Sequence, residues 1–479
     1  MNYSFVFYIL GWVLTLEAGF MMLPCITSLI YREKAGLWFL LVAVVTAAGG
    51  LLLIRKKPKN PQFFTKEGFA VVGLSWIVMS LVGALPFTLS KEIPNYVDAI
   101  FETASGFTTT GASILTDVEA LSHCTLLWRS FTHWIGGMGV FIFLLAVLPM
   151  AGGYNMNLMR AESPGPSVGK LVPKVKESAK ILYIIYFAMT VTEMILLIIA
   201  RMPVFDAICI AFGTAGTGGF GIRGDSCASY NAASQWIITV FMALFGINFN
   251  FYYFMLRKKF KDAFSIEEVR WYVALILLCT AFITFNTWGF YPTAEESLRT
   301  AAFQVSSIIT TTGFATTDFN LWPSFSKTIL IILMLTGACA GSTGGGLKIS
   351  RFIIWWKSIK NQLEAFVHPR SVNAVEMDGK TIDKDTVRSV SVYMVVFLLV
   401  YVISVFLLSL DQFDLVTNFT AVLATINNIG PGLGEVGPCG NFAGFSYASK
   451  VVLIFDMLAG RLELYPILLL LAPGVWKKH

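Results

Sequence analysis

The sequence contains few charged residues, few histidines and few cysteines. Charged side chains make up 13% of the 479 residues, about half the ~25% that is usual in soluble proteins. So few charges could not cover the surface of a soluble protein of this length. The seven cysteines contain no C-x-x-C pair and the four histidines have no metal-ligand spacing. This excludes a secreted disulfide scaffold and a conventional metal centre.

Apolar residues are abundant instead. They make up 56% of the chain, and the mean hydropathy is +0.69. Such a chain can bury more apolar surface than is needed to offset the entropy of ordering, which excludes intrinsic disorder. Composition therefore predicts an all-α polytopic membrane protein.

The net charge of +6 is explained by membrane topology. Basic residues gather beside apolar runs, whereas the intervening segments carry most of the acidic residues. By the positive-inside rule, the basic segments and both termini are cytoplasmic. No basic stripe with interleaved reading residues appears, so no nucleic-acid partner is expected. The basic loop 357–388 could dock a regulator or lie against anionic membrane lipids. The basic groups lie at 55–66, 160–180, 257–270, 348–388 and 477–479.

Ten apolar runs are long enough to cross a bilayer. The first lacks a basic leader and a small-residue cleavage site, so it is predicted to be a retained helix. The runs lie at 5–31, 36–54, 68–89, 125–150, 181–200, 235–256, 271–291, 327–356, 389–410 and 447–472.

After the first two spans, the order span, short apolar stretch, Gly-containing loop and span occurs four times. The short stretches cannot cross a bilayer, so each is predicted to be a re-entrant half-helix. A shared register supports a repeat, because Asp98 precedes Gly111 by the same thirteen residues that separate Asp206 from Gly219. The stretches lie at 97–108, 205–216, 299–310 and 416–427. The predicted units are two N-terminal helices (1–62) and four pore repeats (63–165, 166–262, 263–375 and 376–479).

The four loops that follow the half-helices predict a ring of backbone carbonyls around one pore. Glycine can adopt positive φ, which lets successive carbonyls point inward, and such a ring can replace the hydration shell of a cation. The C-terminal end of each half-helix would also favour a cation. Extracellular turns are the alternative, but they do not explain the short apolar stretches. The predicted filter residues are Thr109, Thr110, Gly111, Thr217, Gly218, Gly219, Thr311, Thr312, Gly313, Asn428, Ile429 and Gly430.

The span 327–356 is interrupted by five glycines within residues 336–346. Each costs about 1 kcal/mol of helix propensity relative to alanine, so a continuous helix is not expected. Irregular backbone at membrane depth needs a wet cavity or surrounding protein, which predicts a gate loop below the filter. Close helix packing is the alternative. The predicted gate residues are Gly337, Gly341, Ser342, Thr343, Gly344, Gly345, Gly346 and Arg461.

Several ionisable residues fall within the predicted spans. Arg461 is expected to face the pore, where it could repel a cation or donate hydrogen bonds to the gate loop. The alternative is a structural pair with Glu463 or Asp456. Lys348 is interpreted as a cytoplasmic anchor rather than a gate element. A structural role is favoured over proton coupling for the other three, which are His133, Glu17 and Glu193.

Taken together, these motifs resemble the TrkH/KtrB/HKT superfamily of potassium transporters over essentially the whole chain. The two additional N-terminal spans are more similar to TrkH than to KtrB. The fourth loop departs from the pattern, with Asn-Asn-Ile where the first and third loops have Thr-Thr-Thr. The motifs are Ser105-Gly-Phe-Thr-Thr-Thr-Gly-Ala-Ser113, His133-Trp-Ile-Gly-Gly-Met-Gly139, Thr214-Ala-Gly-Thr-Gly-Gly-Phe-Gly221, Thr310-Thr-Thr-Gly-Phe-Ala-Thr316, Gly337-Ala-Cys-Ala-Gly-Ser-Thr-Gly-Gly-Gly346 and Asn427-Asn-Ile-Gly-Pro-Gly432.

The resemblance implies a homodimer with one pore in each subunit and a cytosolic, nucleotide-binding TrkA-like ring as regulator. It also implies a bacterial inner-membrane location, potassium as the permeant ion and no bound cofactor. Glycine at all four filter positions goes with potassium preference in this family. No enzyme site is expected, and Gly216 to Gly221 matches G-x-G-x-x-G without the strand that a dinucleotide site needs. The leading hypothesis is a passive potassium pore. The alternatives are a symporter coupled to protons or sodium, and a membrane sensor without transport.

Overall fold

A computed structural model describes residues 1–58, 65–139, 175–369 and 374–476. The second half of the predicted span 125–150, most of the basic group 160–180 and the basic C-terminal residues 477–479 lie outside the described residues. So do the predicted unit boundaries at 62/63 and 165/166. The described chain is predominantly helical, as predicted. Its β structure is one short hairpin.

Two hydrophobic spans precede the rest of the fold. The first comprises α1 (Tyr3–Phe20) and α2 (Met22–Tyr31), which together form one span of 29 residues, and the second is α3 (Gly36–Arg55). Helices α1 and α3 pack closely because Gly11 and Gly50 face each other. A Cβ on Gly11 would lie 2.8 Å from the carbonyl oxygen of Gly50, so small residues set this helix separation.

The chain then forms four successive units, each with a long helix, a short helix, a loop and a further helix. The first contains α4 (Thr65–Leu89), α5 (Tyr96–Phe107) and α6 (His123–Met138). The second contains α7 (Val175–Ile199), α8 (Val204–Gly216), α9 (Ala232–Phe245), α10 (Phe249–Leu256) and α11 (Phe260–Ser265). The third contains α12 (Glu267–Asn286), α13 (Ala294–Ile309), α14 (Ser324–Leu335), α15 (Ile349–Val367), β1 (Glu376–Met377) and β2 (Lys380–Thr381). The fourth contains α16 (Lys384–Leu408), α17 (Leu415–Ile426), α18 (Tyr447–Arg461), α19 (Tyr465–Leu470) and α20 (Pro473–Trp476).

The four short helices α5, α8, α13 and α17 lie where the sequence predicts half-helices. Side-chain caps start three of them, because the first N–H groups of a helix lack internal partners. Asn95 accepts from two N–H groups of α5, Thr293 accepts from one of α13, and Asp414 accepts from two of α17. A left-handed residue follows each short helix within two positions of its end.

Only six of the ten predicted spans are continuous helices of spanning length within the described residues. The predicted spans at 235–256 and 447–472 are each interrupted in the structure. Helices α9 and α10 meet at 91°, where the Asn248 side chain accepts from the N–H of Asn250 and starts the new helix. Helices α18 and α19 are separated by residues 462–464, of which Glu463 and Leu464 have positive φ. The break in 327–356 is confirmed, because α14 ends at Leu335 and α15 begins at Ile349.

Candidate functional site

Four loops with the same backbone conformation follow the short helices. Each begins with a left-handed residue with φ between 55° and 59°, at Thr109, Thr217, Thr311 and Asn428. The next residue donates its N–H to the carbonyl five positions earlier, at 2.8 to 2.9 Å; these donors are Thr110, Gly218, Thr312 and Ile429. A glycine with φ between 75° and 99° follows, at Gly111, Gly219, Gly313 and Gly430. We call residues 109–111, 217–219, 311–313 and 428–430 the glycine ring.

The glycine ring closes on itself. The carbonyl oxygen of Gly218 lies 2.0 Å from the position that a Cβ on Gly111 would take. The same approach, at 1.9 to 2.7 Å, recurs for the pairs Thr312–Gly219, Ile429–Gly313 and Thr110–Gly430. The loops therefore follow one another in cyclic order, and no side chain fits at any of the four glycines.

One side of the ring faces a polar cavity of about 140 Å³. All four ring glycines line it, together with residues of the segments that follow each loop, such as Ser113 and Cys439. We call this the outer side.

The opposite side of the ring is covered by the loop that separates α14 from α15. We call residues 336–346 the inner loop. The N–H of Gly345 donates to Oγ1 of Thr311 at 2.7 Å, and Oγ1 of Thr217 donates to the carbonyl of Thr343 at 3.0 Å. A Cβ on Gly345 would lie 2.8 Å from the Cβ of Asn428. Glycine at this position therefore lets the inner loop pack directly against the ring.

Two cationic side chains bind carbonyls of the inner loop. Arg461 donates from Nη1 to Thr343 at 2.9 Å, and from Nη2 to Gly136 and Gly137 at 2.5 and 2.9 Å. Lys348 donates from Nζ to Gly345 at 2.9 Å and also binds the carbonyl of Gly344. These bonds occupy three successive carbonyls of the inner loop.

Arg461 thus hydrogen-bonds the inner loop, which is one of the two possibilities predicted from the sequence. The residues considered as its structural partners have other bonds, because Glu463 pairs with Arg351 and Asp456 accepts from Ser404. The interpretation of Lys348 as a cytoplasmic anchor is wrong. Its side chain is buried because two inner-loop carbonyls replace water around the ammonium group.

Comparison with known proteins identifies the family of this fold. The sequence matches the TrkH family, described as cation transport proteins, over residues 38–478. The chain belongs to the TrkH family. It is therefore a membrane transport protein and not an enzyme.

Named relatives of this TrkH-family chain span its full length. The Trk system potassium uptake protein TrkH of Salmonella typhimurium is 36% identical, with 100% of both chains covered. The Trk system potassium uptake protein TrkG of Escherichia coli is 31% identical, over 98% of this chain and 97% of that one. The crystal structure of the potassium transporter TrkH from Vibrio parahaemolyticus superposes with a TM-score of 0.89 at 31% identity, with 100% of both chains covered.

Glu268, at the start of α12, anchors the inner loop of this TrkH-family chain. Its Oε1 accepts from the N–H of Ala340 at 2.7 Å and from the N–H of Ser350 at 3.0 Å. One buried carboxylate oxygen thus joins the inner loop to the start of α15. Sequence reasoning missed Glu268, since an acidic residue in the first turn of a helix is usually explained by the helix dipole.

His133 connects α5, which precedes the first loop, to Phe220, which directly follows the second loop. Its Nε2 accepts from the N–H of Phe220 at 3.2 Å, so Nδ1 carries the proton and donates to the carbonyl of Gly106 at 2.8 Å. Both ring nitrogens therefore have structural partners, in agreement with the interpretation favoured from the sequence.

A buried ion pair supports the outer part of the same two loops. The guanidinium of Arg129 lies 2.7 Å from Oε1 of Glu102, and it also donates to the carbonyl of Gly221 at 3.3 Å. Glu102 accepts in turn from Ser113 and Ile114. Sequence reasoning missed Glu102, because its partners lie on other segments of the chain.

Glu17 and Glu193 are buried, but neither lies in the ring or the inner loop. A carboxylate oxygen of Glu17 lies 3.1 Å from where a Cβ on Gly83 would stand. Glu193 lies beside Thr214 of α8. The structure therefore places both carboxyl groups between helices.

Proposed function

We propose that this TrkH-family protein is the potassium-conducting subunit of a potassium uptake system, and that the glycine ring is its selectivity filter. The observation that carries the proposal is the cyclic closure of four carbonyl-bearing loops at positions where only glycine fits. A ring of carbonyls can replace the water around a dehydrated cation. The short helices end at the ring, so their C-terminal dipoles favour positive charge there.

The proposed filter includes the divergent fourth loop. Nδ2 of Asn428 donates to Oγ1 of Thr110 at 3.0 Å and to the carbonyl of Met457 at 2.9 Å. These bonds hold the fourth loop beside the first, and Asn428 and Gly430 have positive φ like their counterparts in the other loops. The filter then comprises Thr109, Thr110, Gly111, Thr217, Gly218, Gly219, Thr311, Thr312, Gly313, Asn428, Ile429 and Gly430.

The inner loop is the proposed gate. In the structure it lies against the ring, and the cationic side chains of Arg461 and Lys348 donate hydrogen bonds to it. Opening would require its carbonyls to leave Arg461 and Lys348, and the glycines supply the backbone freedom for that movement. The gate comprises Gly337, Gly341, Ser342, Thr343, Gly344, Gly345, Gly346 and Arg461.

The wider assembly is proposed by analogy with the family. It is a homodimer in a bacterial inner membrane, with both termini cytoplasmic and a TrkA-like nucleotide-binding ring on the cytosolic side. Membrane lipids would cover the exposed apolar faces, and the only bound ion would be the permeant potassium. The proposed units are 1–62, 63–165, 166–262, 263–375 and 376–479.

The deciding experiment is the zero-current potential of the purified protein in a bilayer, with potassium on one side and sodium on the other. A selective pore gives a potential near the potassium limit. Gly111→Ser should move that potential toward zero, since a Cβ there meets the carbonyl of Gly218 and φ is +77°. Gly289→Ser is the matched control, because a Cβ at Gly289 has no atom within 4 Å. A large current with no preference in the unchanged protein would contradict the proposal.

A potassium symporter driven by protons or sodium is the second candidate, because Glu17 and Glu193 are buried carboxyl groups. It predicts that potassium accumulates beyond the level set by the membrane potential. A passive pore cannot do this.

A further inference from the structure

The turn between α9 and α10 is bonded directly to the inner loop. We call residues 246–248 the elbow, because the two helices meet there at 91°. The N–H of Cys339 donates to the carbonyl of Gly246 at 3.1 Å. The N–H of Phe249, which follows the elbow, donates to the carbonyl of Gly341 at 3.0 Å. The inner loop therefore leaves the ring only by breaking these two bonds or by moving the elbow.

Helices α10 and α11 continue from the elbow as one packed piece. The hydroxyl of Tyr252 in α10 donates to the carbonyl of Leu244 near the end of α9, at 2.6 Å, which fixes the angle between the two helices. The rings of Phe251 and Phe264 meet edge to face with their centroids 5.4 Å apart, which packs α11 against α10. A restraint on α11 is therefore transmitted to the elbow and from there to the inner loop.

The surface of α11 and of the turn before it is both basic and apolar. Phe260 and Phe264 lie four positions apart, on one face of the helix, and are 52% and 60% exposed. Exposed lysines lie between and before them. Arg257 is not counted with these lysines, because its guanidinium lies over the ring of Tyr253, 5.5 Å from the centroid. We call the following exposed residues the α11 patch: Leu256, Lys258, Lys259, Phe260, Lys261 and Phe264.

The lysines of the α11 patch are only partly neutralised by the protein. Within the described ranges, their one ion pair joins Lys259 to Asp262, at 4.0 Å. Both side chains of that pair are more than half exposed, so the pair contributes little. Lys258 and Lys261 have no carboxylate partner in the part of the chain that the structure describes. The patch therefore presents positive charge to its surroundings.

This combination fits the headgroups of anionic phospholipids at a membrane surface. Because α10 turns through 91° from α9, α10 lies along the bilayer surface when α9 is directed across it. Interfacial segments bury aromatic rings at the headgroup level, while their ammonium groups contact lipid phosphate. An acidic protein surface would need the lysines but would not need the exposed rings of Phe260 and Phe264.

We propose that the α11 patch binds anionic phospholipid on the cytoplasmic side of the membrane, and that this lipid holds the inner loop closed through the elbow. The inference rests on the proposed function, because it takes the inner loop to be the gate. Both elbow bonds are made while the inner loop lies against the ring, so lipid that fixes the elbow in this position favours the closed loop. Since coupling between two equilibria is reciprocal, opening of the loop weakens lipid binding by the same factor.

Lipid binding is measured on the purified full chain in vesicles that contain a trace of photoactivatable phosphatidylglycerol or photoactivatable phosphatidylcholine. Crosslinked peptides are identified by mass spectrometry. We expect phosphatidylglycerol, which is anionic, to label residues 256–264 about fivefold or more above phosphatidylcholine. Added salt should reduce this excess, because it screens exposed charges.

Potassium flux into the same vesicles tests the connection to the gate. Flux should rise about fivefold or more when phosphatidylglycerol is replaced by phosphatidylcholine, which is the lower end of ordinary allosteric couplings. A variant with Lys258→Gln, Lys259→Gln and Lys261→Gln should lose the excess labelling. In phosphatidylglycerol it should conduct as fast as the unchanged protein does in phosphatidylcholine. Arginine at the same three positions keeps the charge and should restore both readouts, which a defect in folding would not allow.

The matched control removes the same charge from the exposed basic segment at the end of α3. It carries Arg55→Gln, Lys56→Gln and Lys57→Gln. Its flux should keep the lipid dependence of the unchanged protein. It also corrects for the surface potential of anionic vesicles, which attracts potassium and acts in the opposite direction.

The outcomes separate this inference from the proposed filter. Equal labelling by the two lipids, or excess labelling that survives loss of the three lysines, overturns the lipid site and leaves the patch to a protein partner. Selective flux that ignores the lipid, in a protein labelled as expected, overturns the connection to the gate and leaves the filter intact. Specific labelling in a protein that carries no potassium current in either lipid supports the lipid site and overturns the proposed function.

Discussion

At the scale of single residues, the guanidinium of Arg461 joins two elements that the sequence separates widely. It binds the inner loop at Thr343 and the end of α6 at Gly136 and Gly137. Hydrogen bonds from charged groups contribute about 1.5–3 kcal/mol each. Arg461 is therefore well placed to hold the inner loop against the ring.

Replacing Arg461 with alanine should favour an open inner loop. We expect potassium flux into vesicles, without any regulator, to rise about tenfold or more, since ~1.4 kcal/mol corresponds to a factor of ten. Arg257→Ala is the matched control, because Arg257 is exposed at the end of α10. Unchanged flux in a correctly folded Arg461→Ala protein would remove Arg461 from the gate.

Glu33 acts outside the membrane spans, in the turn between α2 and α3. Its carboxylate accepts from the N–H groups of His123 and Cys124 at 2.8 and 3.0 Å, which caps α6. Burial alone would raise the pKa of Glu33, but the bonds from Cys124 and His123, including the His123 side chain, together lower it below the usual 4.5.

The depressed pKa of Glu33 predicts loss of stability in acid. The carboxylate stabilises the fold fully above pH 4.5, and this contribution is lost as the pH falls through the lower folded-state pKa. Glu33→Gln should cost about 1 kcal/mol at pH 7. Melting curves of both proteins should converge as the pH falls below 4.5. A constant difference between them would contradict this account.

At the scale of elements, the inner loop is attached at several points and not only at the ring. Glu268 binds Ala340 within it and Ser350 just beyond it. Glu268→Ala leaves both N–H groups without an acceptor, so it should destabilise the protein by about 2–4 kcal/mol and increase flux. Glu268→Gln keeps an acceptor oxygen and should have a smaller effect in the same vesicle flux and melting assays. Equal effects of the two substitutions would show that the bonds do not hold the loop.

The half-helices could be predicted from the sequence because their length and the following glycines are local signals. The breaks between α9 and α10 and between α18 and α19 could not. The first rests on a single Asn cap at Asn248. The second places Glu463 and Leu464 at positive φ, which neither residue type favours. Tertiary packing imposes that break.

At the scale of the whole molecule, the proposed topology places the outer cavity on the extracellular side of the membrane. Cys439 is exposed and lines that cavity. An impermeant maleimide should therefore label it in intact cells, with Cys439→Ser as control. Lys57→Cys, in an exposed basic segment, should be labelled only after permeabilisation. The reverse pattern would invert the proposed orientation.

The sequence alone predicts the helical class and the four-loop plan, because both depend on composition and on order along the chain. It does not predict which side chains form hydrogen bonds or ion pairs with one another. The ion pair of Glu102 with Arg129, the hydrogen bond to Glu268 from Ala340 and the hydrogen bonds of Lys348 to the inner loop form only when the units pack together. Such partners are set by three-dimensional packing and leave no periodic pattern.

The cyclic closure of the glycine ring also has a consequence for biosynthesis. The contact that completes it joins Thr110 to Asn428, 318 positions later in the chain. The ribosome therefore synthesises the first three loops of the ring before the fourth. Until the fourth loop enters the membrane, the carbonyl of Thr110 lacks its neighbour, so translation must reach the final unit before any pore can be complete.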